Sequence, residues 1–485
     1  MRAKTRFLAA SLAALSFTQV GCPVNPATGE RQLILISQQQ EIAMGQEYKK
    51  QVVAQIGLYD DPQLQEYVSE IGMALASESE MPDLPWSFQV VDDPVVNAFA
   101  LPGGPIFVTR GILAHFGSEA ELAGVLGHEI GHVTGRHSAE QMSRAQAAQL
   151  GLGVGSIFVP EIAAYGDLIG AGVGILFLKF GRDDERQSDD LGLRYMRHAG
   201  YDPRAMVGVF DMLGRVSEAA GGGGLPTWLS THPAPENREA RMDETLDSLR
   251  AAGASLEGTV ARDRYLGMID GVVFGEDPRN GYFEGQRFLH PDLRFRFDFP
   301  AGWRTQNTAQ AVAGISEAED AIIQLRLGSG ASPAEAATEF FSQGGVQAGN
   351  SWSERVSGLP ARWSYFSATT QDGQTLRGLA LFVELEDTQF QILGYTPANR
   401  MGTYDPVFRG SLGSFGPLTD PAAINVEPRR IDIVQIDRAM TLREFADRYP
   451  STVDLQALSL INRYDEDERI PAGAEVKRVV GGRSE

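Results

Sequence analysis

The stretch Ser118–Thr134, SEAELAGVLGHEIGHVT, contains an H-E-x-x-H motif at His128, Glu129 and His132. Residues four apart share one face of a helix, so the two histidines can direct their imidazoles at one metal ion. Glu129 lies beside them, where a carboxylate can take a proton from a metal-activated water. The motif predicts a metallopeptidase site, and the alternative is a buried helix with two hydrogen-bonded histidines.

The motif is expected to lie on a helix that begins at Ser118. Ser118 and Glu121 are spaced as a capping box, in which each side chain bonds the backbone of the other. Leu122, Val125 and Leu126 follow at helical spacing and form an apolar face.

A catalytic zinc site needs a third protein ligand and an open position for water. The segment Gly181–Gly192, GRDDERQSDDLG, places Glu185 and Asp189 four residues apart, on one helical face. Glu185 is the candidate third ligand, and Asp189 can orient a ligand histidine. The alternative is a solvated acidic helix with ion pairs along its surface.

These segments resemble the CAAX-prenyl-protease-type zinc metallopeptidase family, a gluzincin family, and most closely its bacterial BepA-like and HtpX-like branch. The resemblance covers roughly residues 22 to 250. Three further stretches contribute to it: Asn97–Gly104, Ser230–Pro233 with Arg238 six residues after His232, and Asn25–Gly29 running into Gln38–Gly45. One departure is Ser188, where the family often has alanine, and it does not affect a ligand.

The resemblance implies a mainly helical zincin domain with a small sheet, holding one Zn²⁺ per chain. The implied ligands are His128, His132 and Glu185, with Glu129 as general base and Asp189 in a supporting catalytic role. Histidine and carboxylate ligands favour zinc without excluding another divalent ion.

His232 has three open interpretations. By the resemblance it is either a fourth ligand that keeps the enzyme latent or a group that stabilises the oxyanion, and an imidazole can do both. It can also be a turn histidine that caps a helix. Arg238 is expected to contact the substrate carbonyl or an acid of the site. The remaining histidines show no ligand spacing and are interpreted as surface or core residues: His115, His137, His198 and His290.

The substrate is expected to bind as an added strand. Asn97, Ala98 and Phe99 lie in a short strand that ends at the breaker cluster Pro102–Gly104. Main-chain hydrogen bonds to such an edge align an extended peptide without demanding a sequence. The alternative is an ordinary edge strand with a tight turn.

The N-terminus has the features of an export signal. Three cationic residues precede an apolar run, Phe7–Phe17, that is too short to span a bilayer. Cys22 is the only cysteine and is interpreted as the lipidated first residue of an outer-membrane lipoprotein that faces the periplasm. Ordinary signal-peptide cleavage remains the alternative, because Gln19 stands where leucine is usual.

The composition limits the partners. The formal charge of −21 becomes −24 when residues 1–21, with their three cations, are removed. Such an acidic surface argues against nucleic acid as a partner and leaves the N-terminal lipid as the only expected membrane contact. The segment Leu150–Phe180 is apolar, but its longest apolar run is too short to cross a bilayer, so we expect a pair of helices covering the site.

The fold class predicted for the whole chain is α+β, in four parts. These are a signal peptide (1–21), the metallopeptidase domain (22–262), an α+β accessory domain (263–427) and a C-terminal module (428–485) that resembles a LysM-type βααβ unit. No thirty-four-residue helical repeat is visible. In the accessory domain the predicted helix is Ser332–Gly344, and the predicted strands are Ala321–Leu327, Ala361–Ala368, Leu376–Leu385 and Gln389–Tyr395.

The function expected on this basis is that of a periplasmic zinc endopeptidase in protein quality control. It would hydrolyse misfolded or unassembled envelope proteins, with Glu129 as general base. Two alternatives remain open. One is a latched protease that acts mainly as a chaperone with the outer-membrane assembly machinery. The other is a peptidoglycan-associated scaffold, in which deleting 428–485 would leave peptidase activity intact.

Overall fold

The computed structural model describes residues 24–149, 180–219, 228, 232, 238–342, 344–370 and 373–482 of the 485. The predicted signal peptide, the lipidation site Cys22 and nearly all of the segment predicted to cover the site lie outside the described residues. Within them the chain mixes helix and sheet, which confirms the α+β class. No described helix is both long and apolar enough to cross a membrane.

The N-terminal part is mainly helical, with one small sheet. Strand β1 pairs in parallel with β3, and β2 pairs antiparallel with β3, so β2 forms one edge. The elements are α1 (Gln38–Gln55), α2 (Pro62–Ser77), β1 (Ser87–Val91), β2 (Ala98–Ala100), β3 (Pro105–Thr109), α3 (Arg110–Leu113), α4 (Glu119–Thr134), α5 (His137–Gln149), α6 (Arg182–His198), α7 (Ala205–Ala219), α8 (Arg238–Ala251) and α9 (Arg262–Ile269).

Helix α4 carries the H-E-x-x-H motif and is buried along its whole length. As predicted, Ser118 caps it and accepts the Glu121 N–H. The second half of the predicted capping box is wrong. The Glu121 carboxylate accepts from the backbone N–H of Gly117 instead of that of Ser118. The Glu121 carboxylate thus bonds the residue before Ser118, and it also pairs with Arg463.

The chain reverses sharply after α4. Gly135 ends the helix, and Arg136 takes a left-handed backbone conformation with φ of 56°. Helix α5 then begins at His137, whose ring contacts His132 of α4.

The middle part contains a seven-stranded sheet in the order β10-β11-β12-β13-β9-β8-β7 and a four-stranded sheet in the order β14-β6-β5-β4. Helices α10 and α11 pack into separate apolar clusters with the large sheet. The four predicted strands and the predicted helix are confirmed with small shifts at their ends. The elements are β4 (Tyr282–Glu284), β5 (Arg287–His290), β6 (Phe295–Asp298), β7 (Arg304–Asn307), β8 (Ala311–Ile315), β9 (Ile322–Leu327), α10 (Pro333–Ser342), β10 (Val346–Ser353), β11 (Ala361–Thr369), β12 (Thr375–Leu385), β13 (Thr388–Pro397), α11 (Met401–Leu412) and β14 (Gly416–Pro417).

The C-terminal part pairs β15 with β18 and β16 with β17, around two helices. Its apolar cluster includes Ala114, from the segment just before α4. The elements are α12 (Pro421–Ile424), β15 (Arg429–Gln435), β16 (Met440–Thr441), α13 (Leu442–Arg448), α14 (Leu455–Asn462), β17 (Arg469–Ile470) and β18 (Glu475–Gly481). The LysM likeness and the four domain boundaries stay predictions.

Candidate metal centre

Two helices and one intervening segment bring the predicted ligands together. Helix α4 contributes His128 and His132, and α6 contributes Glu185. His232 comes from the segment between α7 and α8 and joins them, so that one ligand atom from each of the four lies within 4.8 Å of the others. All four side chains are buried.

The spacing of the ligand atoms fits a small tetrahedral ion. His128 Nε2 lies 3.0 Å from His132 Nε2 and 3.6 Å from Glu185 Oε2, and His132 Nε2 lies 3.5 Å from Glu185 Oε1. Metal–ligand distances near 2.1 Å place tetrahedral ligands about 3.4 Å apart. Two neutral imidazole nitrogens that face each other this closely need a proton or a cation between them. The residues present therefore fit zinc.

His232 occupies a fourth corner of this set. Its Nδ1 lies 2.9 Å from Glu185 Oε1 and 3.4 Å from His128 Nε2, while its Nε2 lies 3.6 Å from Glu129 Oε1. Trp228 stacks on the ring, with centroids 4.7 Å apart. Burial lowers the pKa of His232, but the nearby Glu185 and Glu129 carboxylates outweigh it, and the net pKa is raised.

Glu129 is fully buried, and neither carboxylate oxygen has a hydrogen-bond partner among the described residues. A buried carboxylate without a hydrogen bond is costly, so such a group is retained where it acts on something else. Its position beside the ligand set suits a group that exchanges a proton with water or substrate.

Asp189 and Arg238 hold one of the ligand histidines. His128 Nδ1 donates to Asp189 Oδ1 at 3.0 Å, the contact expected for Asp189, and this leaves His128 Nε2 free for the metal. Arg238 donates to both Asp189 oxygens, and its guanidinium lies over the rings of Phe210 and Trp228. Burial raises the pKa of Asp189, but Arg238 outweighs it and holds that pKa well below its usual range. The sequence predicts either the substrate carbonyl or an acid of the site as the partner of Arg238, and the structure shows the acid, Asp189.

Residues 62–246 match the model of peptidase family M48. This segment, which contains the ligand set and Glu129, is similar to the M48 metallopeptidases. The mitochondrial metalloendopeptidase OMA1 of Arabidopsis thaliana is 38% identical over 37% of this chain and 35% of its own length. The beta-barrel assembly-enhancing protease of Yersinia pestis is 33% identical over 48% of this chain and 50% of its own length.

The chain thus spans half or less of the length of these two relatives. Among solved structures, cyanobacterial PsbP from Synechocystis is 16% identical over 27% of this chain and 91% of its own, with a TM-score of 0.23. A score that low says nothing about the fold.

One contact of the metal ligands was not predicted from the sequence. His137, interpreted there as a surface or core residue, is buried, and its Nδ1 lies 2.9 Å from His132 Nδ1. Between the two histidines lies the left-handed turn at Arg136, a conformation that the spacing of the histidines does not reveal. Phe180 stacks on the ring of His132, with centroids 4.0 Å apart.

The predicted substrate strand lies at an edge of the small sheet. Ala98 and Phe99 belong to β2, and Asn97 precedes it, bonded through its backbone to Thr109. The end of β2 and His132 line one small pocket. The segment 62–246 therefore has a strand edge close to the ligand set.

Proposed function

We propose that this chain is a zinc endopeptidase of the bacterial periplasm that hydrolyses misfolded or unassembled envelope proteins. The observation that carries the proposal is the buried ligand set His128, His132, Glu185 and His232 beside Glu129, whose carboxylate has no hydrogen-bond partner among the described residues. A merely structural zinc site has no need for a buried carboxylate without a hydrogen bond next to its ligands.

The residues of the site divide the chemistry between them. Zinc, when bound, would polarise the scissile carbonyl and make a water molecule more acidic. Glu129 takes a proton from that water and delivers it to the departing amine. Asp189 holds His128 in the tautomer that ligates, and Arg238 keeps Asp189 charged and fixed.

The substrate would lie along β2. Asn97, Ala98 and Phe99 offer a strand edge beside α4, and pairing through main-chain atoms would accept any extended segment. An unfolded protein presents such segments and a folded one does not, which fits a role in quality control.

The compartment and partners are inferred from the N-terminal sequence and from one relative. A basic and apolar leader ahead of Cys22 supports export and a lipid anchor in the outer membrane. The Yersinia relative is named for beta-barrel assembly, which supports outer-membrane proteins or their assembly machinery as substrates or partners.

The position of His232 supports a second candidate, a latched protease that acts mainly as an assembly factor. With His232 in the fourth corner, the ligand set offers no open position for water, as in structural zinc sites. Its release would open the site.

The test is cleavage of casein by the purified full chain, with bound metal measured on each variant. The variants are wild type, Glu129→Gln, His232→Ala and, as a control for a lost carboxylate on a nearby helix, Glu140→Gln. We expect cleavage by wild type and the control, none by Glu129→Gln despite retained zinc, and faster cleavage by His232→Ala. Zinc without cleavage in every variant would favour the assembly factor, and a lack of metal in every variant would overturn the zinc site.

A further inference from the structure

We propose that His137 is the positioning residue of the metal ligand His132. In this proposal a chain of hydrogen bonds through Gln187 to Glu30 fixes which nitrogen of each ring carries a proton. The inference rests on the proposed zinc site and adds a residue outside the ligand set.

The chain begins at His132. Its Nε2 faces the other ligand atoms, 3.0 Å from His128 Nε2 and 3.5 Å from Glu185 Oε1, so this nitrogen ligates through its lone pair. The proton of the neutral ring must then sit on Nδ1, which lies 2.9 Å from His137 Nδ1. His132 therefore donates, and His137 Nδ1 must accept.

The state of His137 follows. Because its Nδ1 accepts, the proton of the neutral ring sits on Nε2, which lies 3.2 Å from Gln187 Oε1. That amide oxygen can only accept. The hydrogen bonds at Nδ1 and at Nε2 therefore require the same tautomer of His137. The Ser188 hydroxyl, 3.4 Å from His137 Nδ1, can supply a second, longer hydrogen bond to the same acceptor.

The chain ends at the N-terminal segment. Gln187 Nε2 donates to Glu30 Oε2 at 2.8 Å, which fixes the orientation of the amide. Glu30 lies between Asn25 and Gln32, two buried side chains that donate to the carbonyls of Thr134 and Gly135 at the end of α4. The segment that holds Glu30 is thus itself attached to the helix that carries His132.

The two ligand histidines of α4 therefore have different supports. His128 donates to a carboxylate, Asp189, whereas His132 donates to a neutral imidazole. Partners of this kind typically change metal affinity by about 10- to 100-fold. Burial decreases along the chain, since His137 is buried, Gln187 half-buried and Glu30 exposed, so the effect of removing each residue should decrease in that order.

The test measures zinc affinity of the full chain by competition with a chelator, using zinc alone as the probe. Leucine and asparagine branch at the same atom, Cγ, and have the same number of side-chain heavy atoms, but only asparagine keeps an acceptor near the position of Nδ1. We expect about 10- to 100-fold weaker zinc binding for His137→Leu and less than about 3-fold for His137→Asn. His115→Leu, which removes a histidine away from the site, is the control and should bind zinc as wild type does.

Equal zinc affinities in the two His137 variants would overturn the proposal. If His137→Leu fails to fold, Gln187→Leu removes the acceptor of the His137 Nε2 proton one bond further out and should still weaken zinc binding, and an unchanged zinc affinity would overturn the proposal. Nitrogen-15 spectra of the histidine rings in zinc-loaded wild type supply an independent readout. They should show His137 protonated on Nε2 and not on Nδ1, and a proton on Nδ1 would overturn the proposal. Zinc binding without proteolysis would refute the proposed function. The comparison of zinc affinities would still decide the role of His137, because it does not depend on proteolysis.

Discussion

The close approach of α4 and α6 depends on glycines, and Gly192→Ala should weaken the metal centre without touching a ligand. A Cβ at Gly192 would lie 2.8 Å from the backbone nitrogen of His128 and 3.0 Å from the carbonyl carbon of Gly127. These are backbone atoms that cannot rotate away. Restoring an ordinary contact of 3.4 Å requires the helices to separate by about 0.6 Å, and overpacking of this kind costs about 1–3 kcal/mol.

Alanine partly offsets that cost because it favours a helix by about 0.5–1 kcal/mol over glycine. Metal–ligand distances are tolerated only within about 0.2 Å, so a displacement of α6 should cost zinc affinity more than it costs stability. We expect a net destabilisation of about 0.5–2 kcal/mol in the metal-free protein and about 10- to 100-fold weaker zinc binding. Urea unfolding and chelator competition measure the two.

Gly214→Ala is the matched control. Gly214 also lies in a helix, α7, but an added Cβ there meets nothing within 4 Å. It should therefore gain about 0.5–1 kcal/mol and bind zinc as wild type does. If Gly192→Ala behaves like this control, the helix separation does not set the ligand geometry.

Three further perturbations address other parts of the molecule. Asp189→Ala should destabilise the protein by about 3–5 kcal/mol in urea unfolding, because it leaves Arg238 buried without its main partner; an unchanged midpoint would contradict this. Lys477→Met should lower the melting temperature, since the buried side-chain nitrogen donates to the carbonyls of Ala114, Phe116 and Ile461; an unchanged or higher melting temperature would argue otherwise. Burial lowers the pKa of His115 to about 4, so the unfolded chain takes up that proton first as the pH falls, and up to about 3 kcal/mol of stability should be lost between about pH 6.5 and 4. His115→Gln should flatten that part of the stability–pH curve, and an unchanged slope would refute the assignment.

The sequence was sufficient for those site residues that lie in short local patterns. His128 with His132, and Glu185 with Asp189, are each four apart on one helix, so the pattern itself places them on a common face. Strands of the middle sheet, such as Ala361–Thr369, can be predicted from the sequence for a similar reason. The side chains within each strand determine them locally.

Contacts between segments that are far apart in the chain could not be predicted from the sequence. His137 needs the left-handed turn at Arg136, and a non-glycine residue in that conformation leaves no reliable trace in a single sequence. Lys477 contacts Ala114 across 363 residues, and a lysine is expected at the surface unless something shows otherwise. The predicted capping box was half wrong for the same reason, since a distant arginine, Arg463, draws Glu121 away.

The active helix is held at both ends by segments that lie outside the M48 match at residues 62–246. At its beginning, Arg463 donates to a carboxylate in the first turn, and Lys477 bonds the chain that leads into it. At its end, Asn25 and Gln32 donate to helix-terminal carbonyls, which have no partner within the helix itself. Both supports fix the helix that carries two ligands, so the folded unit that sets the metal geometry is longer than the matched segment. Because the C-terminal part is bonded to this helix, we expect its removal to reduce peptidase activity. The scaffold alternative predicts the opposite, since in it the deletion of 428–485 leaves peptidase activity intact.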